Sequence, residues 1–209
     1  MENFSQNILY LSGRIASPIE YSHDSHGAEF YTFKLKSQRL SGAFDTVNVL
    51  INKTQLAQSG ISTDDFISAR CELRSFNKKT DSGSRLIISA FVKELEPCTS
   101  DTYENSLHLT GTICKPPVYR KTPLGREICD IMLAINRKYG RSDYIPLITW
   151  GRNARIAETF CVGDVITVFG RLQSREYIKM INGEETVRTA YEVSVSSIEA
   201  TKLEDSSSE

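Results

Sequence analysis

The sequence is poor in the residues that usually mark cross-linked or metal-stabilised proteins. It has three histidines and five cysteines in 209 residues, and no two cysteines form a C-x-x-C pair. The odd number and wide spacing argue against a disulfide framework or a zinc ribbon, so we expect five reduced, structural thiols. No apolar run approaches the roughly 20 residues that cross a bilayer. The N-terminus also lacks the basic and apolar regions of a secretory signal. These absences predict a cytoplasmic protein that does not associate with membranes.

Catalytic motifs are missing as well. The chain contains no G-x-x-x-x-G-K-[ST] phosphate loop, no H-E-x-x-H and no G-x-S-x-G. The histidines are scattered, and the acidic pair Glu184-Glu185 follows Asn182-Gly183, which is typical of a solvated turn. We therefore predict that the protein is not an enzyme and needs neither a cofactor nor a metal ion.

What the sequence does have is an internal repeat. Residues 7–49 align without a gap with residues 105–147, and 13 of the 43 pairs are identical. After one inserted residue the match resumes, for example at Leu73 with Leu172 and at Ser75 with Ser174. Two long copies indicate two homologous domains rather than a solenoid, which needs at least three short repeats.

The repeat sets the expected domain boundaries. Residues 1–97 would form the first domain and residues 105–200 the second. Residues 98–104 between them are polar and follow a proline, which is typical of a linker. Residues 201–209 are acidic and rich in serine, which predicts a disordered tail.

Each copy has the pattern of a small β-barrel. Asn7–Ile15 alternates between apolar and polar residues, and Gly13 inside it predicts a bulge that bends the strand. Two further strands, a short helix and two more strands follow in each copy. This order in under 100 residues fits the five-stranded Greek-key barrel called the OB-fold, although another small barrel or a sandwich fits the pattern as well. The predicted fold class is all-β, with two tandem OB-folds.

Charge differs between the copies although the net charge of the chain is −1. Residues 7–80 carry 9 basic and 7 acidic residues, whereas residues 105–180 carry 12 basic and 6 acidic residues, a net charge of +6. A cationic surface attracts phosphate backbones, although exposed Lys and Arg are often only solvated surface residues. The second copy is therefore the better candidate for binding a polyanion.

Aromatic residues in the second copy strengthen this interpretation. Tyr144 and Trp150 share one side of the alternating segment 144–150, and Tyr139 and Tyr177 lie next to basic residues. Rings stack on unpaired bases while cations contact the phosphates, and this arrangement tolerates any base sequence. Packing of the same rings in a hydrophobic core is the alternative.

These residues resemble bacterial single-stranded DNA-binding proteins. The resemblance rests on Lys115–Arg120, Asp143–Ala154, Gly163–Ile166 and Gly170–Tyr177, which occur in order at the family's spacing. The first copy is similar more weakly, so the whole chain resembles the tandem, two-OB form of that family. The resemblance implies a sequence-tolerant protein that coats single-stranded DNA in replication, repair or recombination, with base-stacking positions at Tyr139, Tyr144, Trp150 and Tyr177. We expect the phosphates to be captured by Arg120, Lys121, Arg137, Arg152, Arg171 and Arg175.

The first copy departs from this pattern. Its equivalents of the four stacking residues are Ser41, Thr46, Asn52 and Lys78, with Phe76 nearby as the one possible substitute. We therefore predict that the second domain grips DNA, and that the first extends the path weakly or makes subunit contacts. Family members usually present four OB domains, which implies a homodimer of this two-domain chain.

The C-terminal tail bears on partners other than DNA. The acidic tail ends in Ser206-Ser207-Ser208-Glu209, without the hydrophobic tip with which family members recruit other replication or repair proteins. Two functions remain as alternatives. One is a primosome-type OB-fold interaction module that binds another replication protein, and the other is an OB-fold enzyme subunit or RNA binder.

Overall fold

The computed structural model describes residues 6–80, 83–98, 102–137, 140–181 and 184–201. Three expectations fall partly or wholly outside these ranges. They are the stacking role of Tyr139, residues 99–101 of the expected linker 98–104, and residues 202–209 of the expected tail 201–209. The strands and helices are β1 (Asn7–Ile15), β2 (Glu20–Ser25), β3 (Ala28–Gln38), β4 (Phe44–Asn52), α1 (Lys53–Ser59), β5 (Phe66–Thr80), β6 (Gly83–Pro97), β7 (Glu104–Ile113), β8 (Val118–Lys121), β9 (Glu127–Asn136), β10 (Ser142–Trp150), α2 (Arg152–Glu158), β11 (Val165–Ile181) and β12 (Glu184–Ala200).

The fold class is the one that the sequence predicts, all-β with two tandem OB-folds. We call β1–β6 with α1 the first domain and β7–β12 with α2 the second domain. In each, the long strands close around a core to which equivalent positions of the repeat contribute. Fully buried side chains with a matching partner are Leu11 and Leu109, Leu35 and Leu133, Val47 and Ile145, and Leu73 and Leu172. Burying one such side chain contributes roughly 1.5–3 kcal/mol to folding.

The two domains are joined through their first strands. β1 pairs with β7 in antiparallel register, so the twelve strands form one continuous sheet. Leu9 and Leu107 are register partners, and they are also equivalent positions of the repeat, 98 residues apart. A local two-fold axis therefore passes between these two leucines and relates the two domains.

Gly13 does not form the expected bulge. β1 keeps continuous register with β5 from Leu9 to Arg14. A Cβ at Gly13 would instead lie deep inside van der Waals contact with the carbonyl oxygen of Lys36 on β3. Gly111 approaches the carbonyl of Ala134 in the same way, so glycine recurs because two backbones meet there.

The hairpins of β5 with β6 and of β11 with β12 are longer than the sequence predicts. The pattern indicates strands that end near residues 74 and 174, but pairing continues to Thr80 opposite Gly83 and to Ile181 opposite Glu184. Each hairpin therefore extends beyond its own barrel toward the other domain. Arg85 of the first hairpin donates to the backbone oxygen of Thr189 in the second, over 2.7 Å.

Beyond the barrel, β5 and β11 each have a free edge whose N–H groups need partners. Asn7 and Asn105 supply the first pair, since each side chain bonds both backbone groups of Leu73 and Leu172, respectively, over 2.7–2.9 Å. The next N–H group along each edge belongs to Ser75 in β5 and to Ser174 in β11, and each donates to a residue of the other domain.

Two buried aspartates form these interdomain bonds. Asp143 of the second domain accepts from the N–H of Ser75 over 2.6 Å, and Asp45 of the first accepts from the N–H of Ser174 over 2.8 Å. Neither carboxylate is appreciably exposed. The edge of each hairpin is therefore capped by the other domain, which holds the two domains in one fixed arrangement.

Each aspartate is neutralised by two arginines, one from each domain. Asp45 accepts from Arg39 of its own domain over 2.5 Å and from Arg171 over 3.0 Å. The hydrogen bond to Asp45 raises the pKa of Arg39, whereas burial is the main cause that lowers the pKa of Arg171. Both guanidinium groups still stay charged at neutral pH, because the ordinary arginine pKa lies so far above it.

The second carboxylate repeats this arrangement. Arg137 pairs with Asp143 through both carboxylate oxygens, and Arg74 of the first domain reaches the same carboxylate over 3.1 Å. We call the groups around Asp45 and Asp143 the two carboxylate nodes. A charge at a node is costly to bury and would be strongly destabilising without its partners.

Among the residues that the structure describes, no helix is long and apolar enough to span a membrane.

Replacing Gly13 by Ala should lower the free energy of unfolding by about 1–3 kcal/mol, because the added Cβ forces two backbones apart. Since β1 also pairs with β7, we expect circular dichroism and the fluorescence of Trp150, which lies in the second domain, to report one shared transition. Urea unfolding followed by both probes measures this.

The exposed change Lys36→Ala is the control and should shift the free energy by less than about 0.5 kcal/mol. A Trp150 transition that stays at its wild-type midpoint, while circular dichroism splits into two steps, would show that the domains unfold independently.

Candidate nucleic-acid interface

The outward side of the second domain carries the predicted aromatic residues. Along β10, Ile145, Leu147 and Thr149 are buried in the core, as the alternation predicts. On the opposite side, Tyr144 is 46% exposed and Trp150 is 38% exposed. Both rings therefore lie on the solvent side of the sheet rather than in the hydrophobic interior.

Tyr177 belongs to the same side. Leu172 on β11 is fully buried, so the alternation places Arg171, Arg175 and Tyr177 on the outward side. The register links this side to that of β10, because Arg171 pairs with Ser194 and Ser194 lies beside Ile148. Three of the four predicted stacking residues thus share one surface, and Tyr139 lies outside the described residues.

A cation lies in the same row as Trp150. Arg120 on β8 is the register partner of Ile128 on β9, and Ile128 is the register partner of Trp150. Register partners place their side chains on one face. The Arg120 side chain is 51% exposed and donates to Asp130 over 2.9 Å, so this surface ion pair is weak and a phosphate can compete for the guanidinium.

Three other predicted phosphate ligands are also exposed. Lys121 ends β8, and Arg152 begins α2 directly after Trp150 and Gly151. The Arg175 side chain is 62% exposed, with its Nε 3.9 Å from Glu192. These three side chains can reach a phosphate without breaking a buried contact.

Arg137 and Arg171 have a different position from the one that the sequence suggests. Both guanidinium groups are held by the carboxylate nodes, Arg137 by Asp143 and Arg171 by Asp45. Releasing either one would leave a buried carboxylate with one partner fewer. Their geometry therefore suits them to joining the domains rather than to capturing phosphate.

One basic residue of this surface was missed at the sequence level. Arg188 on β12 is the register partner of Tyr177 on β11. The sequence could have revealed this pair, because Asn182-Gly183 is typical of a two-residue hairpin loop. Such a loop makes residues 181 and 184 register partners, and continuing along both strands pairs Tyr177 with Arg188. The weak alternation of residues 184–190 hid the strand.

The first domain uses the equivalent positions differently. Asn52, which aligns with Trp150, caps α1 by accepting from the N–H of Thr54 over 2.7 Å. Thr46 donates its N–H to Ser174 of the other domain over 2.9 Å, while Ser41 and Lys78 are exposed. Phe76 is 53% exposed on β5.

No group of three or more His, Cys, Asp or Glu side chains within the described ranges could hold a metal ion. The chemistry of this surface is that of rings and cations. Stacking and phosphate contacts need only those two components.

Comparison with known proteins agrees with this arrangement. Residues 104–201 match the Single-strand binding protein family. The chain is 35% identical over 80 residues to single-stranded DNA-binding protein A of Bacillus subtilis, and this match covers 35% of this chain and 46% of that protein. It is 34% identical over 80 residues to single-stranded DNA-binding protein 1 of Staphylococcus aureus, covering 35% of this chain and 48% of that protein. The chain thus spans about half the length of the curated relatives it matches.

A solved structure matches both domains together. The wild-type single-stranded DNA binding protein from Thermus aquaticus superposes with a TM-score of 0.79 at 18% identity, over 98% of this chain and 97% of that chain. At this identity the match shows the fold, which is the tandem arrangement of two OB-folds. The family match confirms, for residues 104–201, the resemblance that the sequence carries.

Proposed function

We propose that the protein binds single-stranded DNA with little dependence on base sequence, and that it coats and protects unpaired DNA in replication, repair or recombination. The observation that carries this proposal is the outward side of the second domain, where Tyr144 and Trp150 lie exposed and Tyr177 lies half-buried among arginines. Stacking on such rings accepts every base, because each base has a π face.

Binding would proceed in two stages. The exposed cations Arg120, Lys121, Arg152 and Arg175 attract the phosphates, and Arg188 adds a charge beside Tyr177. The bases then stack on the rings, at about 1–3 kcal/mol for each base. Nothing in this sequence of steps makes or breaks a covalent bond, so the proposed role is binding without catalysis. We infer a cytoplasmic, nucleoid-associated location from this role.

We further propose that two chains associate through the outward side of β1, β7 and β11. This side carries Tyr10, which is 46% exposed, and Phe169, which is 40% exposed. The ring of Phe169 stacks on His108 with centroids 4.3 Å apart. An exposed aromatic patch is typical of an interaction site.

The second copy is the occupant that fits this patch. The patch spans both domains across the joint of β1 with β7, where the local two-fold axis passes. At its border, Arg70 is paired with Glu94, and Ser12 bonds Ser68 over 3.1 Å, so these polar side chains already have partners within the chain. A self-complementary face suits an isologous dimer, which would bring four OB-folds together.

Trp150 is the only tryptophan, so its emission reports directly on the proposed site. We expect poly-dT to quench it, and Trp150→Ala to weaken binding by about 1–3 kcal/mol while the circular dichroism spectrum stays unchanged. Fluorescence titration of the wild type, and anisotropy titration of labelled DNA with the variant, measure the two effects. Competition with RNA and duplex DNA tests selectivity, and an emission that stays constant at saturating poly-dT would contradict the stacking role.

The salt dependence of binding separates the two classes of arginine. Arg152→Ala should reduce the slope of log affinity against log salt by about 0.7, the value for one lost phosphate contact on a single strand. Arg137→Ala should leave that slope unchanged, but should lower the free energy of unfolding by about 3 kcal/mol because Asp143 loses its main partner. Titrations at several salt concentrations and urea unfolding give both quantities. The reverse result, a changed slope without destabilisation, would make Arg137 a phosphate ligand.

The dimer has its own test. Light scattering during gel filtration should give twice the chain mass for the wild type and the mass of one chain for Tyr10→Asp, because the carboxylate would be buried unpaired. Tyr21→Asp is the control, since Tyr21 is 54% exposed on β2, away from this face. A monomeric wild type, or a Tyr10→Asp variant that stays dimeric, would count against this interface.

A further inference from the structure

The first domain has an aromatic cluster on its outward side that the alignment of the repeat does not reveal. Phe30 on β3 and Phe91 on β6 lie with their ring centroids 5.9 Å apart, and His23 on β2 stacks on Phe30 at 5.2 Å with the ring planes 20° apart. His23 is exposed, and both phenylalanines are partly exposed. We call Phe30, Phe91 and His23 the first-domain ring cluster.

The register places this cluster where the second domain has Trp150. Phe30 is the register partner of Asn52, the residue that aligns with Trp150, and Phe91 lies beside Leu50 on the other flank of β4. Asn52 is committed to capping α1. The rings of Phe30 and Phe91 thus lie on β3 and β6, the two strands that flank β4, rather than on β4 itself. They occupy the part of the first domain's surface that corresponds to the surface around Trp150 in the second domain.

Two cations lie over the ring of Phe91. The guanidinium of Arg74 is 5.4 Å from its centroid and the ammonium of Lys93 is 5.7 Å away. Glu72 pairs with both of these cations, and nearby Lys53 pairs with Glu29. The local charges therefore nearly balance, which favours contact with bases over capture of phosphates.

Arg74 also connects this cluster to the second domain. The same side chain reaches Asp143 over 3.1 Å, and the next residue, Tyr144, donates its N–H to Ser75 over 2.7 Å. Arg74 therefore contacts both the ring of Phe91 and the carboxylate of Asp143, the residue next to Tyr144 in the chain.

We propose that the first-domain ring cluster is a second stacking site for unpaired bases, continuous with the surface of the second domain. This proposal rests on the proposed function and changes the expected division of labour, because the first domain then takes part in binding through its own rings. Its affinity would come from stacking, with little of the salt dependence that marks phosphate contacts.

The test compares two lengths of oligo-dT on the full chain. An OB-fold occupies about 4–16 nucleotides, so an oligomer of about 8 nucleotides fills the second domain and one of about 20 reaches the first. The double variant Phe30→Leu with Phe91→Leu keeps apolar side chains but removes the rings. We expect roughly tenfold weaker binding of the longer oligomer, unchanged binding of the shorter one and an unchanged salt slope.

Phe44→Leu is the matched control, because Phe44 lies at the opposite end of β4, 48% exposed, with its ring against Tyr103. Equal affinity of the double variant and this control for the longer oligomer would overturn the proposal. A wild type that binds neither oligomer would instead overturn the proposed function. Ultraviolet cross-linking of the wild type to oligo-dT gives a readout without substitutions: cross-linked peptides containing Phe30 or Phe91 support the site, and cross-links confined to the second domain contradict it.

Discussion

The structure depends on how the free edges of its two long hairpins are satisfied. Where β5 and β11 leave their barrels, backbone N–H groups would otherwise face the other domain without partners. Asp143 and Asp45 accept from these groups, and each buried carboxylate requires two arginines. Neither node can form without both domains, so this one interaction fixes the domains relative to each other and fixes the surface they share.

This interaction explains why the same charged residues recur in both copies of the repeat. Arg39 with Arg137 and Asp45 with Asp143 are identical pairs of the repeat, and from the sequence they indicate only common descent. The internal pair of each domain follows from short-range geometry, since the two residues lie only six positions apart in the chain. The partner from the other domain could not be predicted, because Arg74 and Arg171 are not equivalent positions: Gln173 aligns with Arg74, and Glu72 with Arg171.

Much of the remaining fold follows from period-two alternation and from the repeat itself. The first strand spans the range that the pattern predicts, and β10 presents the side chains on the predicted sides. The hairpin ends were underestimated because Asn77, Lys78 and Lys79 have low strand propensity, and pairing with the partner strand overrides that propensity. Tertiary context also decides Gly13, where the close approach of β3 is invisible to a count of alternating residues.

In the candidate surface too, some residues can be predicted from the local sequence pattern, whereas others are brought together only by the pairing of distant strands. Trp150 and Tyr144 could be found from the sequence, because their segment alternates and their basic neighbours are adjacent in the chain. Phe30 and Phe91 could not, since they lie 61 residues apart and meet only because β3 and β6 flank β4. Transferring the stacking positions of the second copy to the first through the alignment finds a ring only where the equivalent strand carries an aromatic residue at the equivalent position. Stacking requires a ring at a place on the surface rather than at a place in the alignment, so a displaced cluster satisfies the same physical need while Asn52 remains available to begin the helix.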